Sequence, residues 1–551
     1  MGIFENIIII LYLAVLGYLG FRGYKQTKNT TDYLVAGRDT HPFIMALSYG
    51  ATFISTAAIV GFGGVAAWLG NSLLWLTVFN IFIGIFVAFV FLGNPTRKMG
   101  YRLNAHTFPE LLAKRFDSKF IQIFGAMIIL LFMPLYATAV LIGGTHFIAL
   151  YFGTDYHMSL MVFSIIITAY VIAGGLKGVM LTDALQGSIM FIAMLILLVV
   201  TFDSLGGVDA AFSKLDHVWQ VTVIDHLAST NIKDLTPGSP DFMMKLSLLW
   251  GFEGWNSMPQ FLSKGWLFVI TTITMGVGIG VLAQPQLIVR FMTVKSKQEL
   301  NRAVLIGSIF IVVMTGIIFI VGALSNAWYY EFNEGKNALQ SAGSIGQVIP
   351  HFINTAMPKW FAFVFLFALI SAAMSTLSSQ FHTMGTAVGR DLFEQISTKK
   401  HNSITVTRLG VVLMIIFSVS LAYAFDKQPA IIARSTAIFF ALCASIFLPS
   451  FIGGLFFKGI TKAGAISSMI VGLLVSSFWL LFVHFKEAKS LGVCKAMFGR
   501  DSLLSGDIIF VDALMIALPL SIITVIVVSL ITKKMDAKHL DKCFNDRGET
   551  I

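Results

Sequence analysis

Residues 50–64, GATFISTAAIVGFGG, stand where hydropathy predicts a membrane-spanning helix, yet the stretch is small, polar and prone to break. It holds four glycines, and with Ser48 just before it the segment carries four hydroxyl side chains. A helix that only fills lipid is built mainly from larger apolar residues. Irregular backbone at membrane depth is tolerated only where it is buried in protein or lines a cavity. We therefore predict a broken span that lines a site.

The composition of the whole chain indicates an all-α integral membrane protein. Of its 551 residues, 56% are hydrophobic and only 12% are charged. Apolar stretches of about 20 residues recur along the chain, each long enough to cross the hydrocarbon core as a helix. We predict thirteen spans, at residues 3–21, 42–66, 72–93, 120–150, 158–175, 184–204, 265–289, 303–327, 358–388, 406–424, 431–456, 464–484 and 507–531.

The basic residues predict the orientation of these spans. Most of the 38 Lys and Arg residues fall on one side of the predicted membrane, in loops such as residues 94–119 and in the tail, residues 532–551. An excess of basic residues marks the cytoplasmic side, which places the N-terminus outside and the tail in the cytoplasm. We expect a multi-pass protein of the plasma membrane, the inner membrane of a prokaryote. The net charge of +10 then reflects orientation and contact with membrane lipid, so no nucleic-acid partner is expected.

A second interrupted span predicts the internal organisation. MGVGIGVLAQP, residues 275–285, lies five spans after the first interruption. Broken helices at corresponding positions of two repeats are typical of transporters, and an offset of five spans inverts one repeat relative to the other. We predict one transporter domain, residues 1–551, made of an extra helix (3–21), two five-helix repeats (42–204 and 265–456), two further helices (464–531) and the tail.

The spacing of residues predicts an ion site between the second and ninth spans. An unwound turn around Ala51 and Ile54 would free carbonyl oxygens, which suit a monovalent cation such as Na+. Ala372, Ser375 and Thr376 stand at positions i, i+3 and i+4, so they share one helix face. They could present one carbonyl and two hydroxyls to the same ion. The alternative is that these hydroxyls serve helix packing or bond to carbonyls one turn back.

Other polar residues within the spans indicate the kind of transport. Asn80 serves either an interhelical hydrogen bond or a solute contact. Gln284 and Pro285 mark the predicted kink of the second broken helix, because proline lacks an amide donor. No span interior carries the chain of Asp, Glu and His typical of proton pumps, which favours Na+ as the coupling ion. Motifs for ATP hydrolysis and membrane proteolysis are also missing, so we expect a gradient-driven carrier and not an enzyme.

Four motifs resemble one known family over nearly the whole chain. They are DYLVAGRD (32–39), GGLKGVMLTDALQ (174–186), AQPQLIVRFMTVKS (283–296) and SAAMSTLSSQ (371–380). In this order they resemble the sodium:solute symporters, which include permeases for proline, pantothenate, short monocarboxylates, sugars and sialic acid. The resemblance implies a leucine-transporter type of inverted-repeat core, with a Na+ site where the second and ninth spans cross.

The resemblance also assigns roles to residues. It implies that Na+ is held by the carbonyls of Ala51, Ile54 and Ala372 and by the hydroxyls of Ser375 and Thr376. The motif GGLKGVMLTDALQ (174–186) contains one more residue with an implied role, Asp183. Asp183 falls at the family's TD element, which is associated with release of the ion to the cytoplasm. The alternative for Asp183 is a helix cap on an internal loop.

The same resemblance bears on the solute. Phe53 stands where the proline permeases carry an acidic residue, and Asn80 matches a glutamine of the pantothenate permease. We therefore predict Na+-coupled import of a small organic acid, such as a monocarboxylate or pantothenate, by alternating access. The expected solute contacts are Phe53, Ser55, Asn80 and Gln284. Symport of proline, another amino acid or a sugar, a proton-coupled or facilitative carrier, and a solute sensor remain alternatives.

Overall fold

The computed structural model describes residues 3–397, 403–425 and 431–545. Within those ranges every named element is a helix, and the only β-type pairing is an isolated bridge between Thr40 and Val294. Eleven helices of the described chain are long and apolar enough to cross a membrane, and two shorter apolar helices join them. The prediction of an all-helical membrane protein is confirmed.

The thirteen predicted spans map onto these helices, and the numbering below follows them. They are Ile3–Gln26 (span 1), Pro42–Phe53 with residues 57–69 (span 2), residues 74–102 (span 3), Lys119–Phe152 (span 4), Tyr156–Ile172 (span 5), Gly174–Ser204 (span 6), Lys264–Ala283 with Pro285–Phe291 (span 7), Lys297–Phe332 (span 8), Lys359–Ile396 (span 9), Ser403–Ala424 (span 10), Ile431–Phe456 (span 11), Lys462–Phe482 (span 12) and Ala513–Ile531 (span 13).

Shorter helices lie in the connections, and several spans contain π-helical turns. The connecting helices are Thr30–Val35, Phe108–Phe116, Val208–Trp219, Pro240–Leu249, Ala338–Ala342, Val348–Ala356, Phe485–Leu491 and Val493–Phe498, and one more helix, Ala537–Phe544, lies in the tail. The π-helical segments within spans are Ala57–Phe62, Asn80–Gly93, Phe268–Met275, Val312–Gly316 and Ala387–Phe393.

Span 2 breaks close to the predicted place. Its first half begins with a proline at Pro42, ends at Phe53, and is followed by Ile54 in an extended conformation (φ −86°, ψ 99°). The chain becomes helical again at Thr56, and the π-helical segment Ala57–Phe62 follows. Ala51 itself stays within the first half-helix, so the irregular backbone is confined to Ile54 and Ser55.

Span 7 breaks at Gln284, as the sequence predicts. Gln284 is extended (φ −75°, ψ 121°), and Pro285 is the first residue of the second half-helix. Proline disfavours the helical conformation in the residue before it and lacks a hydrogen-bond donor of its own. The second half of span 7, Pro285–Phe291, is therefore a separate short helix.

Span 6 begins earlier than predicted. Its helix starts at Gly174, where the sequence predicts a start at residue 184, and Gly175 forms the kink that separates it from span 5 (φ 55°, ψ −164°). Lys177 and Asp183 lower the hydropathy of this first part, which conceals it in the sequence. Asp183 consequently lies inside a continuous helix.

The small residues of the opening stretch let other elements approach span 2. A β-carbon added to Gly64 would lie 1.9 Å from the carbonyl oxygen of Ile345, and one added to Gly63 would lie 2.8 Å from the side chain of Ile349. Both distances are shorter than a carbon contact tolerates, so larger residues would push the connection after span 8 away. The glycines thus serve close packing in the second half of span 2, residues 57–69.

The long connection between spans 6 and 7 covers one end of the bundle. Its Trp255 is fully buried and donates its indole N–H to the carbonyl of Trp68 at 3.1 Å. The backbone carbonyl of Trp255 accepts a hydrogen bond from the backbone N–H of Asn71 at 2.6 Å. Gly70 adopts a left-handed φ of 70° directly against Trp255. This cover therefore fixes the end of span 2. The opposite end, where residues 27–41 and 103–118 connect spans, carries most of the basic residues and is called the basic side below.

Candidate ion and solute site

Spans 2 and 9 meet at the first break, and the predicted Na+ ligands come together there. The Ser375 hydroxyl donates to the carbonyl of Ala51 at 2.8 Å and lies 3.3 Å from the carbonyl of Ala372. The Thr376 hydroxyl donates to the carbonyl of Thr52 at 3.1 Å and lies 3.5 Å from that of Ala51. All these residues are buried. Four of the five predicted ligands thus form one cluster of oxygens, called the cage below.

The fifth predicted ligand, Ile54, lies three residues beyond Ala51 at the break itself. Its N–H still closes the last helical turn onto Gly50, while its extended conformation turns the chain away from the helix axis. The cage contains only carbonyl and hydroxyl oxygens. Since a hydroxyl can rotate and offer a lone pair in place of its proton, such a set can bind a monovalent cation.

A buried ion pair lies beside the cage, between Asp183 of span 6 and Arg290 of span 7. The guanidinium Nη2 and the Asp183 Oδ2 are 2.9 Å apart, and neither side chain is exposed. Asp183 also accepts hydrogen bonds from Ser48 at 2.8 Å and from Ser378 at 3.3 Å. The reading of Asp183 as a helix cap is wrong, because it lies within the helix Gly174–Ser204.

Arg290 is the residue of this cluster that our sequence reasoning missed. Its guanidinium donates to Ser48 at 3.0 Å, to Thr52 at 2.5 Å and to Ser379 at 2.6 Å. A signal was present in the sequence: an arginine follows the Gln284 break by six residues and lies within the apolar run of residues 287–292. An ionisable residue inside a membrane span is by default a candidate for function.

A small cavity of about 20 Å³ lies on the other side of the first break. Three of the four predicted solute contacts, Phe53, Ser55 and Asn80, are among its lining residues. The rest of the lining comes from six spans and consists of Ile54, Ala58, Phe62, Leu76, Tyr136, Val277, Thr315, Phe319, Thr436 and Phe440.

Aromatic rings and a few neutral polar groups give this cavity its chemistry. The Phe440 ring packs 6.2 Å from Phe53 and 5.5 Å from Tyr136. The Tyr136 hydroxyl donates to Ser55 at 3.3 Å, while the buried Asn80 Oδ1 has no partner among the described residues. No Lys, Arg, Asp, Glu or His of the described chain lines the cavity. A cavity of this volume holds about one water molecule, so these groups would contact a solute only once the surrounding spans had moved apart.

Three π-helical segments converge on the cavity. Ala58 and Phe62 belong to the segment Ala57–Phe62, Asn80 opens the segment Asn80–Gly93, and Thr315 lies in Val312–Gly316. Such wide turns are rare and occur frequently at functional sites. Because each segment contributes lining residues from a different span, the local sequence gave no sign of their meeting.

Gln284 lies at the second break, outside the set of residues that line the cavity. Its side-chain carbonyl accepts a hydrogen bond from the Gln286 amide at 2.6 Å, while its own amide nitrogen has no partner within the described residues. The structure therefore groups Phe53, Ser55 and Asn80 together and leaves Gln284 apart from them.

Known proteins resemble this chain over most of its length. The model of the sodium:solute symporter family matches residues 33–472. The osmoregulated proline transporter of Bacillus subtilis is 27% identical over 517 residues, which cover 93% of this chain and 91% of that protein. The sodium/pantothenate symporter of Haemophilus influenzae is 28% identical over 472 residues, covering 84% of this chain and 88% of that protein.

A solved structure shares the fold. The structure of a Na+-coupled sialic acid symporter superposes with a TM-score of 0.72 at 17% identity, covering 97% of this chain and 99% of that one. This likeness confirms the leucine-transporter type of fold, with inverted repeats and broken helices. With the family match across residues 33–472, the chain belongs to the sodium:solute symporter family.

Proposed function

We propose that this protein is a Na+-coupled secondary symporter that imports a small organic acid, such as a monocarboxylate or pantothenate, by alternating access. The observation that carries the proposal is the cage, where the hydroxyls of Ser375 and Thr376 reach across to the carbonyls of the broken span 2. Membership of a family of sodium symporters supports Na+ as the ion. The protein would act in the plasma membrane, with its basic side in the cytoplasm and its N-terminus outside.

In the proposed mechanism, Na+ is bound by the carbonyls of Ala51, Ile54 and Ala372 and by the hydroxyls of Ser375 and Thr376. The ion replaces the hydrogen bonds that now join these groups and fixes the break of span 2 against span 9. Ile54 and Ser55 line the solute cavity, so ordering the break also shapes the cavity. Na+ and solute then favour the same conformation, and each must tighten the binding of the other.

The solute proposal depends on the cavity and on the relatives. An organic acid needs its charge balanced in a cavity without basic side chains, and Na+ at the adjacent break supplies a positive charge. Phe53, Ser55 and Asn80 are the proposed contacts, with Gln284 held as a contact only for a solute that extends to the second break. A proline transporter also stands among the relatives, so proline is the second candidate.

Uptake into proteoliposomes tests the function. A potential of about 100 mV with a tenfold Na+ gradient supplies roughly 3.7 kcal/mol per ion, enough for accumulation on the order of 500-fold with one Na+. We expect uptake of a labelled organic acid to require an inward Na+ gradient. Uptake indifferent to Na+ would identify a proton-coupled or facilitative carrier, and binding without accumulation would identify a sensor.

A thermal-shift screen of the purified protein identifies the solute. Small carboxylates, proline and sugars are compared at high and low Na+, because a ligand that binds only the folded protein raises its melting temperature. We expect a monocarboxylate or pantothenate to stabilise the protein only when Na+ is present. Stabilisation by proline and not by the acids would replace the proposed solute with the second candidate.

A further inference from the structure

Arg290 lies at the centre of a buried cluster drawn from three other spans. Its guanidinium bonds to Ser48 and Thr52 of span 2, to Asp183 of span 6 and to Ser379 of span 9. One further bond goes to the carbonyl of Gln286 in its own half-helix. A single side chain therefore ties the second half of span 7 to the three helices around the cage.

The cluster and the cage share Thr52. The carbonyl of Thr52 accepts the hydrogen bond of Thr376, a proposed Na+ ligand. Its hydroxyl accepts from Arg290 at 2.5 Å and lies 3.5 Å from the carbonyl of Ser375. Arg290 is thus one residue away from the proposed ion ligands, without touching any of them.

The cluster lies on the basic side of the cage. Span 2 runs away from the basic side, and its Ser48 precedes Ala51 by about one turn. Span 9 runs towards the basic side, and its Ser379 follows Ser375 by about one turn. An ion that leaves the cage towards the basic side must therefore pass the level of Arg290.

The charges explain why Arg290 would oppose that passage. Both members of the Arg290–Asp183 pair are fully buried. Among the described residues, Asp183 is the acidic group that forms an ion pair with Arg290. A guanidinium keeps its positive charge at any physiological pH. Two cations a few ångströms apart repel strongly where water is excluded. Na+ cannot move onto Asp183 while the guanidinium stays there.

We propose that Arg290 is a tethered cation that closes the basic-side route from the Na+ site. This inference rests on the proposed function. Movement of the short half-helix Pro285–Phe291 about the Gln284 break withdraws the guanidinium from Thr52 and Ser379. The carboxylate of Asp183 is then left without its partner and attracts the departing Na+. Arg290 acts through position and charge, and it coordinates neither ion nor solute.

Two other buried arginines show what a purely structural arginine looks like in this protein. Arg97 donates to the carbonyl of Lys295 at 2.9 Å, and Arg115 donates to the carbonyls of Gly454 at 2.8 Å and Phe457 at 3.1 Å. The carbonyls of Gly454 and Phe457 lie at the end of span 11, and that of Lys295 lies in the connection between spans 7 and 8. Arg290 differs because most of its bonds go to side chains of separate helices, which can part when one half-helix moves.

Chemical labelling of a buried position tests the closure directly. Ser378 donates to Asp183 at 3.3 Å and is fully buried, so Ser378→Cys places a thiol within the cluster. The background variant lacks the native Cys443, Cys494 and Cys543, and labelling uses a cationic, membrane-impermeant methanethiosulfonate on vesicles of known orientation. Arg290→Gln should raise the labelling rate from the basic side at least tenfold. The matched control Arg115→Gln should leave that rate unchanged.

Further variants keep the test decisive if Arg290→Gln does not fold. Asp183→Asn combined with Arg290→Gln removes both buried charges and should also label at least tenfold faster. Arg290→Lys keeps the charge but lacks the fork that reaches several partners, so its rate should fall between those of the parent and Arg290→Gln. Unchanged labelling in the folded Gln variants would overturn the proposal.

The labelling result is independent of the proposed function. If Arg290→Gln labels faster while uptake by the parent protein does not depend on Na+, this pair of results would support the closure and reject Na+ coupling. Normal Na+-driven uptake in the parent, with unchanged labelling in Arg290→Gln, would reject the closure and leave the function standing. A second readout is leak of ²²Na+ from loaded vesicles without solute, which Arg290→Gln should increase at least fivefold over Arg115→Gln.

Discussion

The two broken helices of this protein expose different chemistry. At the first break, span 2 offers carbonyl oxygens to the hydroxyls of span 9, and no charged group takes part in the cage. At the second break, a proline starts a short half-helix that carries the buried charge of Arg290. Backbone oxygens can hold a small cation, whereas a charged side chain on a short helix can repel one. The proposed ion site therefore lies at the first break, and the proposed closure lies at the second.

The largest expected effect concerns the charge at the second break. Asp183→Ala leaves the guanidinium of Arg290 buried and unpaired, which should lower the free energy of unfolding by about 3–5 kcal/mol. Asp183→Ala combined with Arg290→Met should recover most of that loss, because both buried charges are gone. Denaturant unfolding of the purified protein measures both values. Equal stability of the single and double variants would show that the ion pair is not what holds this region.

The next effect concerns the first break. Replacing both Ser375 and Thr376 with alanine removes two proposed ligands and should raise the Na+ concentration for half-maximal uptake roughly tenfold or more, about 1.4 kcal/mol of ion binding. The control is Thr383→Ala with Thr386→Ala, two buried hydroxyls on the same helix that bond only to carbonyls of that helix. The same Na+ dependence in both double variants would remove the cage as the ion site.

Substitutions of two amide residues, Asn80 and Gln284, distinguish a solute bound in the cavity from one bound at the second break. Asn80→Ala removes an unpaired polar group from the cavity and should raise the solute KM about fivefold, the worth of about 1 kcal/mol for one hydrogen bond. Gln284→Ala, outside the cavity lining, should change the KM less than twofold. Uptake at saturating Na+ measures both. A larger effect at Gln284 would move the solute towards the second break.

The smallest expected effect is a change in the acid dependence of stability, and it concerns Glu110 on the basic side, away from both breaks. Glu110, in the connection before span 4, accepts a hydrogen bond from Arg390 of span 9 at 2.8 Å. Burial alone would raise the pKa of Glu110, but His106 and the charges of Arg390 and Lys114 outweigh it and hold this pKa well below the ordinary value.

A depressed pKa in the folded protein stabilises it above the ordinary pKa of the carboxyl group, and this contribution disappears as the pH falls below that value. The melting temperature should therefore drop as the pH is lowered from 5 towards 3. Arg390→Gln should melt lower at pH 7 and show a shallower drop in acid. A drop as steep as that of the parent protein would exclude Glu110 as its source.

Much of the fold could be predicted from the sequence, because the membrane imposes strong local constraints. Spans of sufficient length and apolarity stand out in the hydropathy, and both breaks fall at residues that disfavour helix, near Ile54 and at Pro285. The start of span 6 was missed because charged residues inside it, such as Asp183, resemble loop residues until their partners are known.

The cage was accessible from the sequence for the same local reason. Ala372, Ser375 and Thr376 lie on one helix face through helical spacing alone, so their grouping needed no knowledge of the neighbours. The solute cavity and the Arg290 cluster had no such pattern. Each combines a few residues from each of several spans, and no local pattern shows which spans come together.

The sequence by itself determined that this chain spans a membrane many times, that two of its helices break, and that one face of span 9 carries grouped hydroxyls. Those features follow from hydropathy, proline and helical spacing, which act within a few residues. Only the tertiary structure decided that Ser375 faces Ala51, that Asn80 and Phe440 share a cavity, and that Arg290 pairs with Asp183. These pairings join residues far apart in the chain, and they depend on which helices pack together.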